Sequence, residues 1–147
     1  MKKTVIVVLL VLFSSLIYGK ENNKKEIYIS KKHGFSLEIP MSWKNRYEVD
    51  EYKDGITVYY VKKDKKIGLF DIVCWGKEAE WNELNKEEKE SIPSKKLGIL
   101  NEQVYVWPWL VYEGEDEAES DKEYKKMKKE VEKVVDSFEE IKKAGGR

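Results

Sequence analysis

The chain has 147 residues, and its 28 basic and 28 acidic side chains balance to a formal net charge of zero. There is no excess of positive charge to attract nucleic acid, so the composition predicts no nucleic-acid partner. The single cysteine, Cys74, excludes a disulfide-rich scaffold, and the fold must be held together by packing alone.

The N-terminal segment has the layout of a secretory signal peptide. Two lysines precede an uncharged apolar run at residues 5–13. The run is shorter than the roughly 20 residues that a membrane-spanning helix needs, and the best cleavage position follows Gly19. We therefore predict that residues 1–19 are a signal peptide and that residues 20–147 form one extracytoplasmic domain, periplasmic or secreted. Retention of the segment as a membrane anchor is the alternative.

The next part of the chain has the composition of strands. Residues 26–30 and 35–39 are predicted strands separated by a turn. Asp54-Gly55 is the favoured pair for a two-residue type I′ hairpin loop, with positive φ at both positions, and it pairs Val49 with Tyr60. This register makes one face of the hairpin apolar, with the side chains of Tyr47, Val49, Ile56, Val58 and Tyr60.

A buried strand and a second hairpin follow. Residues 67–75 are apolar on both alternating faces except at Asp71, which predicts a central strand covered on both sides. The Glu, Lys and Asn content of residues 77–91 predicts one or two short helices. Residues 96–107 then predict a second hairpin that turns at residues 101–102.

The C-terminal region is predicted to be one long helix. Apolar residues recur at spacings of three and four from Tyr124 to Ile141. Ser120 and Glu123 form a capping box at its start, and Gly145 is the predicted stop. Strands followed by a long helix indicate an α+β fold.

Residues 34–43, with the sequence GFSLEIPMSW, and the tyrosine-rich hairpin after them resemble the opening of PsbP-like domains, in particular the small exported proteins of low-GC bacteria. The similarity extends from about Ile27 to Ile141. The resemblance implies a mainly antiparallel sheet sandwiched between helices, in an α/β/α arrangement. It also implies a protein-binding or accessory module, and it brings no shared catalytic apparatus and no cofactor.

The residues that most often carry chemistry have no visible partners in the sequence. His33 is the only histidine, so neither a catalytic triad nor a multi-histidine metal site is indicated, and we interpret it as a turn residue. Cys74 lies in an apolar strand, which predicts a buried, inert thiol. The phosphate-loop, nucleophile-elbow and zinc-helix motifs do not occur. We therefore predict a protein that is not an enzyme and needs no cofactor, with carboxylate-only catalysis as an alternative.

An acidic segment at residues 113–121 precedes the predicted helix. Glu115, Glu117 and Glu119 are the candidate cation ligands in it, although their spacing is not that of an EF-hand. A solvated loop whose acids favour the positive end of the helix dipole is the preferred interpretation. No metal site is predicted.

An aromatic segment provides the candidate binding surface, with the residues Tyr105, Trp107, Trp109 and Tyr112. On a strand, Tyr105 and Trp107 point to one face and their valine neighbours to the other. If the valines pack inward, the aromatic side chains form a contact platform, since Trp and Tyr are enriched at interaction hot spots. If a helix covers the aromatic side chains, they belong to the core, and this second interpretation is favoured.

These observations predict a non-enzymatic extracytoplasmic module that binds another envelope or secreted protein. Contact with a membrane is expected only through an uncleaved signal segment. The alternative is an envelope ligand-binding protein or a carboxylate-dependent hydrolase of cell-wall glycan, for which a cleft with paired acids beside Trp is the distinguishing feature.

Overall fold

The computed structural model describes residues 24–142. The predicted signal peptide at residues 1–19 and the predicted helix stop at Gly145 lie outside the described residues. The elements, in chain order, are β1 Lys25–Ser30, β2 Phe35–Pro40, β3 Tyr47–Tyr52, β4 Gly55–Lys62, β5 Lys65–Lys77, α1 Glu78–Glu83, α2 Lys86–Ser91, β6 Ser94–Leu100, β7 Gln103–Pro108, α3 Glu115–Ala118, α4 Lys122–Asp136 and β8 Glu139–Glu140. Within this part of the chain, none of the helices has the length and apolar character needed to cross a membrane.

The strands form two antiparallel sheets, with the orders β1-β2-β8 and β3-β4-β5-β7-β6. Strand β5 is central in the larger sheet, as its two-sided apolar pattern predicted. The predicted arrangement of one sheet sandwiched between helices is wrong, because residues 25–40 build a separate sheet. The side chains of β2 share one core with those of β4, β5 and α4, so the smaller sheet supplies part of the packing that the prediction assigned to helices.

The predicted long C-terminal helix is also wrong, because α4 ends at Asp136. The chain then turns at Ser137, and β8 adds to the free edge of β2. The amide of Ile141 donates a hydrogen bond to the carbonyl of Gly34 at 2.9 Å. The ring centroid of Phe138 lies 4.9 Å from that of Phe35. Phe138 and Ile141 continue the helical spacing, but sheet hydrogen bonds and packing on Phe35 take them out of the helix.

The start of α4 differs from the predicted capping box by one residue. Asp121 is the N-cap, and its carboxylate accepts hydrogen bonds from the amides of Glu123 at 2.9 Å and Tyr124 at 3.4 Å. The Ser120 hydroxyl instead donates to the carbonyl of Glu117. A carboxylate at this position satisfies two of the free amides of the first turn, which explains why Asp121 replaces its neighbour.

The first hairpin forms, but its predicted register is wrong by two residues. Tyr47 pairs with Tyr60, so the loop consists of residues 53–54. Because a shift of two residues keeps every side chain on its own face, the predicted apolar face is still the buried one. Gly55 is the first residue of β4, and a Cβ atom there would stand 2.2 Å from the carbonyl oxygen of Ile72 in β5. A glycine is needed at this position because β4 and β5 approach each other too closely for a side chain.

The second hairpin turns at residues 101–102, as predicted. Asn101 and Glu102 have φ angles of 48° and 62°, which is the signature of a type I′ loop. The short helices α1 and α2 also confirm the prediction for residues 77–91.

Both faces of β7 are covered. Val104 and Val106 pack against Trp81 of α1, whereas Tyr105 between them points into the main core. This arrangement decides which members of the aromatic segment reach the surface.

Candidate functional site

The structure divides the four predicted contact residues between core and surface. Tyr105 is only 7% exposed, and its ring centroid lies 5.9 Å from that of Phe35 and 6.1 Å from that of Phe138. Trp107 is half-buried and packs against the same core. Tyr105 therefore has no surface to offer a partner, and Trp107 offers only an edge.

The exposed part of the segment is a run of three apolar residues, which we call the Trp109 ridge. Its members are Trp109, Leu110 and Val111, exposed to 62%, 48% and 88%. Isolated exposed apolar residues are common on protein surfaces, but a contiguous group that includes Trp is characteristic of an interaction site. Trp109 was among the predicted contacts. Leu110 and Val111 were missed, although three consecutive apolar residues after a strand-ending proline are a usable signal.

The ridge is held at both of its ends. The amide of Trp109 donates to the carbonyl of Pro93 at 2.9 Å. At the other end, the amide of Tyr112 donates to the Glu115 carboxylate at 3.1 Å, and the amide of Glu115 donates to the carbonyl of Tyr112 at 3.1 Å. A backbone fixed in this way loses little conformational entropy when a partner covers it.

Tyr112 anchors the ridge to the larger sheet. Its ring lies over Gly68 of β5, where a Cβ atom would stand 2.0 Å from the ring. The Lys128 ammonium lies 5.3 Å from the ring centroid, within the range of a cation–π contact. Burial and then the neighbouring Asp71 carboxyl raise the pKa of the phenol. Tyr112 is therefore a structural support of the ridge rather than an exposed contact.

Asp71 is a buried acid beneath Tyr112. It is 9% exposed and pairs across the sheet with Thr57 of β4. Within the described residues, neither Asp71 Oδ1 nor the Tyr112 hydroxyl has a hydrogen bond of normal geometry. Burial raises the pKa of Asp71 and so favours its protonated form. Asp71 stands out in the sequence as the one charged residue of the apolar run at residues 67–75.

Two grooves flank Trp109. The α4 groove, of about 320 Å³, has apolar walls from Trp107, Leu110 and Val131 and polar walls from Lys128, Lys129 and Glu132. The α2 groove, of about 590 Å³, has apolar walls from Trp81 and Ile92 and polar walls from Lys86, Lys89, Lys96 and Glu90. Trp109 borders both grooves, so a chain that crosses the ridge can place side chains on either side of it.

The remaining candidate residues are structural. His33 is a turn residue as predicted, and it is buried; its Nε2 donates to the carbonyl of Tyr52 at 3.0 Å, since a carbonyl can only accept. Cys74 was predicted to be buried, but it is only half-buried in the structure. Its thiol lies 3.3 Å from Gln103 Oε1, and partial burial raises its pKa. A raised pKa disfavours the thiolate, and the lack of reactivity at Cys74 stays a prediction.

The three candidate cation ligands are not gathered into a site. Burial by itself raises the pKa of Glu115, but hydrogen bonds from Lys128 and from the Tyr112 amide hold it below its usual value. Glu117 and Glu119 are exposed, and Glu117 lies 3.9 Å from the Lys65 ammonium. Within residues 24–142, no group of three or more acidic, histidine or cysteine side chains is placed to hold a metal ion. Glu115 supports the ridge through Tyr112 and Lys128.

No protein-family model, curated protein or solved structure matches this chain. The resemblance to PsbP-like domains stays a prediction that rests on residues 34–43 and the tyrosine-rich hairpin after them.

Proposed function

We propose that the protein is an extracytoplasmic protein-binding or accessory module, and that it contacts its partner through the Trp109 ridge. The observation that carries the proposal is the contiguous exposure of Trp109, Leu110 and Val111 on a backbone held at both ends. No other part of the described chain covers this apolar surface, and its contact with water is unfavourable. Binding of a partner that buries the surface is therefore stabilised by the hydrophobic effect.

The geometry of the ridge favours a polypeptide partner. Trp is the residue most enriched among interface hot spots, and such residues lie at the centre of a contact with grooves around them. Trp109 borders the α4 groove and the α2 groove in this way. The half-buried Trp107 lies two residues before Trp109, near the end of β7, and packs against the core, so the ridge begins next to packed structure.

The alternative, a carboxylate-dependent hydrolase of cell-wall glycan, requires two acids in one cleft beside Trp. The α4 groove contains one carboxylate, from Glu132, and the α2 groove contains one, from Glu90. The two grooves beside Trp109 therefore favour binding over this chemistry, and the binding function is the one we propose.

The proposal is tested by pull-down and cross-linking of residues 20–147 from the native envelope fraction. We expect Trp109→Ala to weaken capture of the partner by about 2 kcal/mol or more, or roughly 30-fold, as at interface hot spots. Ile27→Ala is the matched control, because Ile27 is an exposed apolar residue, 56% exposed, on β1 of the smaller sheet. Circular dichroism melts of both variants should stay close to the wild type.

Equal capture by the wild type and by Trp109→Ala would remove the ridge from the binding surface. Hydrolysis of cell-wall glycan by the purified wild-type chain, abolished by one carboxylate substitution that leaves the melt unchanged, would replace the binding function with the hydrolase.

A further inference from the structure

We infer that the partner segment that docks on the Trp109 ridge is acidic: a stretch of polypeptide that combines Asp or Glu side chains with apolar anchors. This inference rests on the proposed function and adds the chemistry of the partner to it. It follows from the distribution of charge in the α4 groove and the α2 groove.

The two grooves carry a local excess of positive charge in a chain that is balanced overall. Their walls contain five lysines, Lys128, Lys129, Lys86, Lys89 and Lys96, and two glutamates. The whole chain has 28 basic and 28 acidic residues, so the excess of positive charge in the two grooves is a local feature and not a property of the whole chain. Lysines stand on both sides of Trp109, and a segment lying across the ridge therefore meets positive charge at each end.

Three of these lysines are available to a partner. Lys89, Lys96 and Lys129 make no ion pair with any residue in the range 24–142. Lys128, in contrast, is held by Glu115 at 2.8 Å, and Lys86 lies 3.7 Å from Glu90. Among the residues that the structure describes, the fold pairs the lysine that supports Tyr112 and leaves Lys89, Lys96 and Lys129 without a carboxylate partner.

The free lysines are placed close to the apolar anchor points. The Lys96 ammonium lies 5.6 Å from the ring centroid of Trp81, at the wall of the α2 groove. Lys129 lines the α4 groove together with Trp107 and Leu110. A partner segment that fills a groove with an apolar side chain therefore brings its neighbouring side chains within reach of an ammonium group.

The concave shape of the surface favours a polypeptide over an anionic membrane. Grooves of about 320 Å³ and 590 Å³ lie beside the ridge and accept individual side chains. A bilayer surface is flat on this scale and leaves such grooves unfilled. Membrane binding is kept as an outcome of the test that would contradict the inference.

The test places a photo-crosslinking residue at position 111 of the mature chain, residues 20–147. After irradiation in the envelope fraction, mass spectrometry identifies the partner peptide attached to it. We expect a segment with net negative charge. Synthetic peptides of that segment and of its amide counterpart, with Asn and Gln in place of Asp and Glu, are then titrated against the chain, and the amide counterpart should bind at least tenfold more weakly.

A charge variant of the chain completes the experiment. The triple variant Lys89→Gln, Lys96→Gln and Lys129→Gln should bind the acidic peptide at least tenfold more weakly. The wild-type affinity should fall as salt rises from about 0.05 M to about 0.5 M, because exposed charges are screened. The matched control is Lys32→Gln, Lys44→Gln and Lys53→Gln, which changes three exposed lysines away from the grooves. It should bind like the wild type.

The outcomes separate the inference from the proposed function. A neutral or basic cross-linked segment, or a triple variant that binds like the wild type, overturns the acidic partner and leaves the ridge as the binding site. Cross-links to lipid alone, with binding to phosphatidylglycerol vesicles that Trp109→Ala abolishes, overturn both. The absence of any cross-link at position 111 also overturns both.

Discussion

Gly55 provides a sharp test of how closely β4 and β5 approach one another. In Gly55→Ala the new Cβ atom would stand 2.2 Å from the carbonyl oxygen of Ile72 and 2.9 Å from the Cα atom of Val73. Both neighbours are backbone atoms of a paired strand, so neither can move away by changing a rotamer. The sheet must open by roughly 1 Å to restore normal contact.

The size of the effect follows from a comparison with a second glycine. Forcing extra atoms into a packed interior costs about 1–3 kcal/mol, and contact with backbone places Gly55→Ala at about 3 kcal/mol. Gly34 has a φ of 82° and no neighbouring heavy atom within 4 Å of an added Cβ. Gly34→Ala therefore adds only backbone strain. Because alanine also lowers the conformational entropy of the unfolded chain, the net loss of stability should be about 1 kcal/mol.

The two variants should thus differ by about 2 kcal/mol, which for a domain of this size is about 7 °C in melting temperature. Urea denaturation followed by tryptophan fluorescence measures both, with m-values equal to the wild type. If Gly55→Ala is no more destabilising than Gly34→Ala, the loop lies at residues 54–55 rather than at residues 53–54 and the close approach does not exist.

Three other substitutions probe the core, the buried acid and the helix cap. Trp107→Ala should lower the free energy of unfolding by about 2–3 kcal/mol in urea denaturation, whereas Trp109→Ala should change it by less than about 0.5 kcal/mol. Burial raises the pKa of Asp71, so the protonated form that stabilises the folded chain is lost as pH rises through the raised pKa. Asp71→Asn, which carries no charge, should therefore raise the melting temperature at pH 7, and this gain should become smaller as pH falls towards about 4. Asp121→Ala should cost about 1 kcal/mol. Because Lys62 lowers the pKa of Asp121, the wild type should lose this stability as pH falls below about 4, and the difference between the wild type and Asp121→Ala should shrink. A difference that stays the same at acid pH would contradict the assignment of the cap.

Alternation along the first hairpin predicted which side chains are buried but not how the strands pair. Tyr47, Val49 and Ile56 belong to the buried face in either register, since the two registers differ by two residues. The choice between the two registers depends on Gly55, because a side chain at this position would collide with the backbone of Ile72 in β5. That contact involves residues distant in sequence, so turn preference alone indicated the wrong loop.

The candidate site was predictable in part. The aromatic content of residues 105–112 identified the region, and Trp109 was among the predicted contacts. Periodicity could not separate Tyr105 in the core from Trp109 on the surface, because this depends on where β7 ends and on what covers each of its faces. The free lysines of the two grooves come from three separate elements, and only the fold brings them around one ridge.

The amino-acid sequence by itself determined the strands, the short helices, the central position of β5 and the turn at residues 101–102. The tertiary structure alone decided that β1 and β2 form a second sheet and that the chain leaves the helix after Asp136 to pair with β2. Helix, strand and turn preferences depend on residues a few positions apart, so the order of residue types in the sequence predicts them. Where a helical spacing competes with a free strand edge about 100 residues away, the hydrogen bonds and apolar contacts of that edge decide the outcome, and no window of the sequence contains both partners.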